Sequence, residues 1–218
     1  NIFMVHMSKN LLLLFSIFSI LSCEKSQDIY FKDFAVVSAK IEASKAGYDI
    51  LKMGGNAFDA MIATDLALAV VYPNAGNLGG GGFMVYRSAD GDYGSLDYRE
   101  KAPLASTKDM YLDEDNNVVK GLSSEGALSI GVPGTVAGLF ETYQRFGSLP
   151  LDSLFKPAMK LAKYGFPLTK KQAKSFNQNK RKILSNSNNI DLFKKDFVEG
   201  MVFNNPALYS TLKFILEN

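Results

Sequence analysis

Apolar positions change their period several times along the chain, and each change marks an element. Phe34-Ala35-Val36-Val37-Ser38 has the composition of a short strand entering a core. From about Ala39 to Met53 the apolar residues Ala43, Ala46, Ile50 and Leu51 recur at helical spacing, and Gly54-Gly55 supply the left-handed backbone that often ends a helix. Asn56 is placed to cap a second helix, about Ala57 to Val71, by accepting from its first free amides. That helix is apolar on nearly every side, which predicts burial on several faces and obliges Asp59 and Asp65 to find partners. The two acids project from different faces, so they are read as capping or structural groups and not as a catalytic pair.

Pro73 stops this helix, and a loop from Asn74 to Gly80 leads into a hairpin of Phe83 to Arg87 and Tyr93 to Arg99. Asp90-Gly91 is the kind of pair that closes a two-residue turn. Such a turn sets Gly82 opposite Arg99, Met84 opposite Asp97 and Val85 opposite Leu96, and leaves space for a ligand beside the guanidinium. Pro133-Gly134 opens a helix whose stripe is Val136, Leu139, Phe140, Tyr143 and Phe146, closed by Gly147. Another amphipathic helix runs from about Leu151 to Tyr164 and ends at Gly165 ahead of Pro167. Leu208, Leu212, Ile215 and Leu216 form a last stripe, read as a helix within or just after which the chain is cut.

The 218 residues, 47% of them hydrophobic, exclude general disorder and suffice for one sizeable domain or part of a larger one. A formal charge of +2 gives no overall pull toward nucleic acid, and no nucleic-acid partner is expected. Lys and Arg concentrate between Lys156 and Lys195, where Asp191 is the sole acid. Asn and Ser, rather than aromatic residues, interleave them, so the stretch reads as solvated helix and loop in preference to a nucleic-acid or anionic-lipid patch. Asp113 to Asn117 reads as a polar turn, because it lacks the glycine and distal Glu of a calcium loop.

Residues 1–23 are read as a targeting segment, 24–33 as a polar tether and 34–218 as the folded part. From Met7, with Asn1 to His6 upstream of the start, a polar region with Lys9 precedes an apolar stretch from Leu11 to Leu21 that is short for a bilayer span. Ile20-Leu21-Ser22-Cys23 has the form of a bacterial lipobox, in which Cys23 becomes the lipidated first residue. The alternatives are an ordinary signal peptide with an incidental cysteine, or a signal anchor. His6 and Cys23 are the only histidine and cysteine, so the region after Cys23 lacks the residues of a Ser/His/Asp triad, a Cys/His dyad, a thiolate or histidine zinc site and a disulfide. No cofactor or metal is expected.

Four consecutive glycines, Gly79 to Gly82, are costly to order and imply a place where main chain approaches something closely. A phosphate loop would need a Lys-Ser/Thr ending and a strand-to-helix setting, and both are missing. Arg99, in Asp97-Tyr98-Arg99-Glu100-Lys101-Ala102-Pro103, offers a planar fork of donors suited to a carboxylate. Together with Gly54-Gly55-Asn56-Ala57-Phe58-Asp59-Ala60, Pro133-Gly134-Thr135-Val136-Ala137-Gly138 and Pro157-Ala158 followed by Leu161-Ala162 and Gly165-Phe166, these segments resemble the γ-glutamyltranspeptidases. The resemblance keeps the family's order from about Val36 to Asn218.

It implies an α+β fold, the αββα sandwich of N-terminal-nucleophile hydrolases, incomplete in this chain. The implied activity is cleavage of a γ-glutamyl amide such as glutathione, with the acyl group passed to water, an amino acid or a peptide. Arg99 would hold the substrate α-carboxylate. The family's precursors cleave themselves to expose a Thr whose own α-amine serves as base, which fits a region without histidine. That Thr and the oxyanion donors belong to the small subunit, beyond Asn218, so no catalytic residue is expected here and the small subunit is the expected partner. The implied location is extracytoplasmic, as a lipid-anchored or periplasmic protein. A cephalosporin or glutaryl acylase of the same fold and a non-catalytic lipoprotein binding module are the alternatives; the form of Asp97 to Pro103 favours the transpeptidase.

Overall fold

The structure, a computed structural model, describes residues 31–187 and 191–218. The targeting segment, Cys23 and most of the tether lie outside the described residues. The chain divides into two units, Asn1–Phe34 and Ala35–Asn218, and the second carries the elements below.

Helix α1 spans Ile41–Lys52 and α2 spans Ala57–Val71. Between them Gly54 takes φ 92, where only glycine sits without strain, and its amide donates to Leu51 O while the Gly55 amide donates to Ile50 O. These paired bonds satisfy the last carbonyls of α1. Asn56 Oδ1 then accepts from Phe58 N and Asp59 N, and the Asp59 carboxylate accepts from Asn56 N in return. The turn between the helices is therefore specified at both ends, by the backbone of Gly54-Gly55 and by the side chains of Asn56 and Asp59.

Helix α2 is the centre of the core. Ile62, Ala63, Leu66, Ala67, Val70 and Val71 are buried, and the helix packs against α1, α3 (Thr135–Phe146) and α4 (Leu151–Tyr164). Burying one side chain the size of Ile62 or Leu66 contributes about 1.5–3 kcal/mol, so this helix anchors the unit. Helix α6, Pro206–Glu217, lies on α4 with Leu212 fully buried, and Asn205 caps it through Leu208 N. Strand β3 (Phe166–Pro167) pairs antiparallel with β4 (Val202–Phe203). Beneath α5 (Lys170–Ser185), Phe176, Phe193, Phe197 and Phe203 meet at ring separations of 5.1 to 6.2 Å.

Two expectations change. Phe34 to Ser38 forms no strand among the described residues. Strand composition gives extended backbone, but a ladder needs a partner edge, and Val36 instead packs over the bare Gly47 of α1: a Cβ there would lie 3.0 Å from Val36 Cγ1. The hairpin of β1 (Phe83–Arg87) and β2 (Tyr93–Asp97) is shifted by one residue from the register that a two-residue turn sets. Phe83 pairs with Asp97, Met84 with Leu96 and Val85 with Ser95. The cause is the loop, in which Ser88 N donates to Asp92 O, Gly91 N donates to Ser88 O and Gly91 sits at φ 96. Ala89, Asp90 and Gly91 thus form a three-residue connection with glycine in the left-handed position. Gly82 consequently faces Tyr98 and not Arg99: Tyr98 N donates to Gly82 O at 3.1 Å.

Candidate functional site

Arg99 stands where the chain leaves β2. Asp97 Oδ1 accepts from Arg99 N at 3.0 Å, a local turn that redirects the backbone. Lys101 then bridges to Val132, with amide bonds of 3.1 and 2.8 Å, and so ties the far side of the turn to the segment that opens α3.

The glycine run supports this turn from behind. Gly80 O accepts from Gly134 N at 2.7 Å and Thr135 N at 3.0 Å, while Thr135 Oγ1 donates to Asn77 Oδ1. A Cβ on Gly81 would come 2.8 Å from Arg99 Cα, and one on Gly82 would come 2.7 Å from Tyr98 Cε2. From the helix side, a Cβ on Gly138 would lie 2.6 Å from both Cδ atoms of the Tyr98 ring, and one on Gly134 2.8 Å from the Tyr98 carbonyl carbon. The close approach that the glycines imply is therefore to the chain's own Tyr98-Arg99 segment, which is clamped between β1 and α3. Tyr98 itself escapes a sequence reading centred on charge. Its only advance signal is its place beside Arg99 between glycine-rich segments.

The clamp leaves the Arg99 side chain exposed, and its guanidinium makes no hydrogen bond or ion pair with any described residue. Neither Asp97 nor Glu100 holds it. The nearby Glu141 is engaged by Arg145, 2.6 Å from Nε. A cleft of about 340 Å³ lies against Arg99, bordered by Tyr98, Lys101, Pro133, Ala137 and Glu141. Lys101 brings a second cation without an ion-pair partner among the described residues. An unpaired fork beside a preformed hollow is an arrangement that can take a carboxylate.

Tyr98 also borders a second hollow of about 430 Å³, lined mainly by apolar groups such as Val36, Leu51, Met61 and Leu68, together with Asp65. Burial pushes the Asp65 carboxyl above its ordinary range. Burial, and after it the Asp65 charge, pushes the Tyr98 phenol up, so the ring remains neutral. Asp59 is the opposite case. Fully buried, it accepts from Asn56 N, from Ser148 N at 3.1 Å and from Ser148 Oγ, which makes it a structural acid as its position suggests. Among the described residues no cluster of His, Cys, Asp or Glu could hold a metal, and no helix is long and apolar enough to cross a membrane.

Comparison with known proteins identifies the family and the fold. The chain is 43% identical over 183 residues to a glutathione hydrolase proenzyme of Pseudomonas aeruginosa, covering 84% of this chain and 32% of that protein. It is 40% identical over 191 residues to the glutathione hydrolase proenzyme of Escherichia coli, covering 86% and 33% respectively. The crystal structure of Helicobacter pylori gamma-glutamyltranspeptidase matches with a TM-score of 0.82 and 42% identity, over 88% of this chain and 56% of that one. The fold is thus the α+β fold of the N-terminal-nucleophile hydrolases, here a part of it. A family model described as gamma-glutamyltranspeptidase matches residues 43–218, and the chain belongs to that family. It spans about a third of the length of these curated relatives.

Proposed function

We propose that this chain is the recognition part of an enzyme that cleaves γ-glutamyl amides such as glutathione and passes the acyl group to water, an amino acid or a peptide. The observation that carries the reading is the unpaired Arg99 guanidinium, held at the edge of a cleft by the Tyr98 clamp. Two parallel N–H groups of Arg99 receive the two oxygens of the substrate α-carboxylate, a charge-assisted contact of about 1.5–3 kcal/mol. Lys101 adds positive potential on the same rim.

Chemistry then falls to polypeptide that this chain does not span. A Thr exposed by self-cleavage attacks the γ-amide carbonyl, its own α-amine takes the hydroxyl proton, and that proton passes to the departing amine. Water or an acceptor amine next attacks the acyl-Thr ester and frees the hydroxyl. Arg99 contributes by fixing the glutamyl group so that the carbonyl carbon of its γ-amide meets the nucleophile. Cys23 is assigned as the lipid-bearing residue, which places the enzyme outside the cytoplasm on a membrane.

The test is to express the full-length polypeptide and compare release of a chromophore from γ-glutamyl and glutaryl anilides, with and without a dipeptide acceptor. Turnover of the γ-glutamyl compound is expected. Preference for the glutaryl compound, which lacks the α-amine, would replace this reading with an acylase; turnover of neither would leave a binding module.

A further inference from the structure

The described helices α1, α3 and α6 each carry an ion pair one turn apart: Lys45 with Asp49, Arg145 with Glu141, and Lys213 with Glu217. Helix α5 does not. Its sequence, KKQAKSFNQNKRKILS, contains no acid, and its one ion pair reaches off the helix, from Lys180 to Asp196. Lys170, Lys171, Lys174, Arg181 and Lys182 are exposed, and their side chains make no ion pair or hydrogen bond with any described residue. At the helical advance of about 100° per residue these five fall within a sector of about 120°, while the buried Gln172, Ala173 and Phe176 occupy the other side.

Folding does not call for this arrangement. Lys170 and Lys171 stand in the first turn, where the helix dipole disfavours cations, and both repel Lys174 one turn on. Lys40, ahead of α1, feels the charge of Lys171 as well. The helix is held from the opposite side, by the Thr169–Gln172 capping box, by Gln172 Nε2 donating to Val71 O at 2.8 Å, and by buried Phe176. Read as sequence, the stretch is ordinary solvated surface. The fold sorts its cations onto one face and leaves them unpaired.

We propose that this face of α5 is a docking surface for a bilayer carrying anionic phospholipid headgroups. Five cations on one side of an amphipathic helix match an extended plane of negative charge. The apolar side of the helix is already buried in the core, so contact is by charge without insertion. No aromatic side chain shares the face, and single-stranded nucleic acid would lack a stacking platform.

The experiment uses the full-length polypeptide with Cys23→Ser, so that no acyl chain contributes, and sedimentation with phosphatidylcholine vesicles with or without phosphatidylglycerol. Binding is expected only with phosphatidylglycerol, and it should weaken as salt shortens the screening length. Each cation near such a surface is worth about fivefold in partitioning, so Lys171→Gln with Lys174→Gln should lower it about 25-fold, while Lys45→Gln leaves it unchanged. Equal binding to both vesicles, no binding to either, or an unaffected double variant would overturn the proposal. Displacement by millimolar inorganic phosphate would point instead to an isolated anion site. Tighter binding to an oligonucleotide than to the vesicles would assign the face to nucleic acid and equally overturn it.

Discussion

Gly138→Ala tests the clamp on Arg99 directly. The new methyl would come 2.6 Å from Cδ1 and Cδ2 of Tyr98, too close for the ring to stay in place. Retreat is blocked by Gly82 on the other side, since the ring's Cε2 lies 2.7 Å from where a Gly82 Cβ would stand. Overpacking costs about 1–3 kcal/mol, and a ring hemmed by backbone on two sides belongs at the upper end. Alanine within α3 recovers about 1 kcal/mol of helix propensity, which leaves a net loss near ~2 kcal/mol. A displaced Tyr98 carries Arg99 with it. Misplacement of a positioning group by about 1 Å can cost as much as about 100-fold, so kcat/KM for a γ-glutamyl anilide should fall about tenfold or more, chiefly through KM. Adding Tyr98→Ala removes the crowded ring, and the double variant should be more stable than the sum of the single changes by about 1–3 kcal/mol. Denaturant titration and steady-state kinetics on the four full-length proteins give the cycle. A Gly138→Ala protein stabilised by helix propensity alone, with KM unchanged and strictly additive energies, would refute the clamp.

Asp59→Ala removes the fully buried carboxylate that accepts from the amides of Asn56 and Ser148 and should cost about 1.5–3 kcal/mol, seen as a lowered denaturant midpoint; a loss below about 0.5 kcal/mol would contradict the assigned network. Asp65 gives a pH signature. Burial raises its folded pKa above that of an ordinary carboxyl, so its contribution to stability is full below the unfolded pKa and declines as pH rises through the folded one. Asp65→Asn should therefore match the parent in acid and exceed it near neutrality, and thermal melts showing the reverse trend would reject the account. Cys23→Ser should move the full-length protein from the membrane fraction to the soluble extracytoplasmic fraction; unchanged fractionation would remove the lipid anchor from the reading.

Local chemistry made much of the fold legible. Gly54-Gly55 and Asn56 mark both ends of the α1–α2 turn, and the all-round apolar pattern of α2 foretells its central burial. Helix α4 keeps its expected span although Pro157 lies inside it, because the helical stripe outweighs one missing donor. Register was harder. Asp90-Gly91 suits either a two-residue or a three-residue loop, and only the bond from Ser88 N to Asp92 O selects the second. The strand expected at Phe34 to Ser38 failed because strand composition carries no information about a partner edge. At the site, Arg99 is visible through its motif, whereas Tyr98 becomes meaningful only when Gly82 and Gly138 converge on its ring from separate elements. The cationic face of α5 is likewise a product of helical geometry, invisible to a count of charges.

The central claim is that Arg99 recognises the α-carboxylate, and a substrate-by-variant cycle isolates that contact. Full-length parent and Arg99→Lys are each assayed with a γ-glutamyl anilide and with the 4-aminobutanoyl anilide, which differs only in lacking the carboxylate. Lysine keeps the charge and loses the planar fork. The account predicts that the parent strongly prefers the γ-glutamyl compound, and that Arg99→Lys raises KM for it by about tenfold while leaving turnover of the 4-aminobutanoyl compound unchanged. Equal losses on both substrates, or none on either, would contradict it.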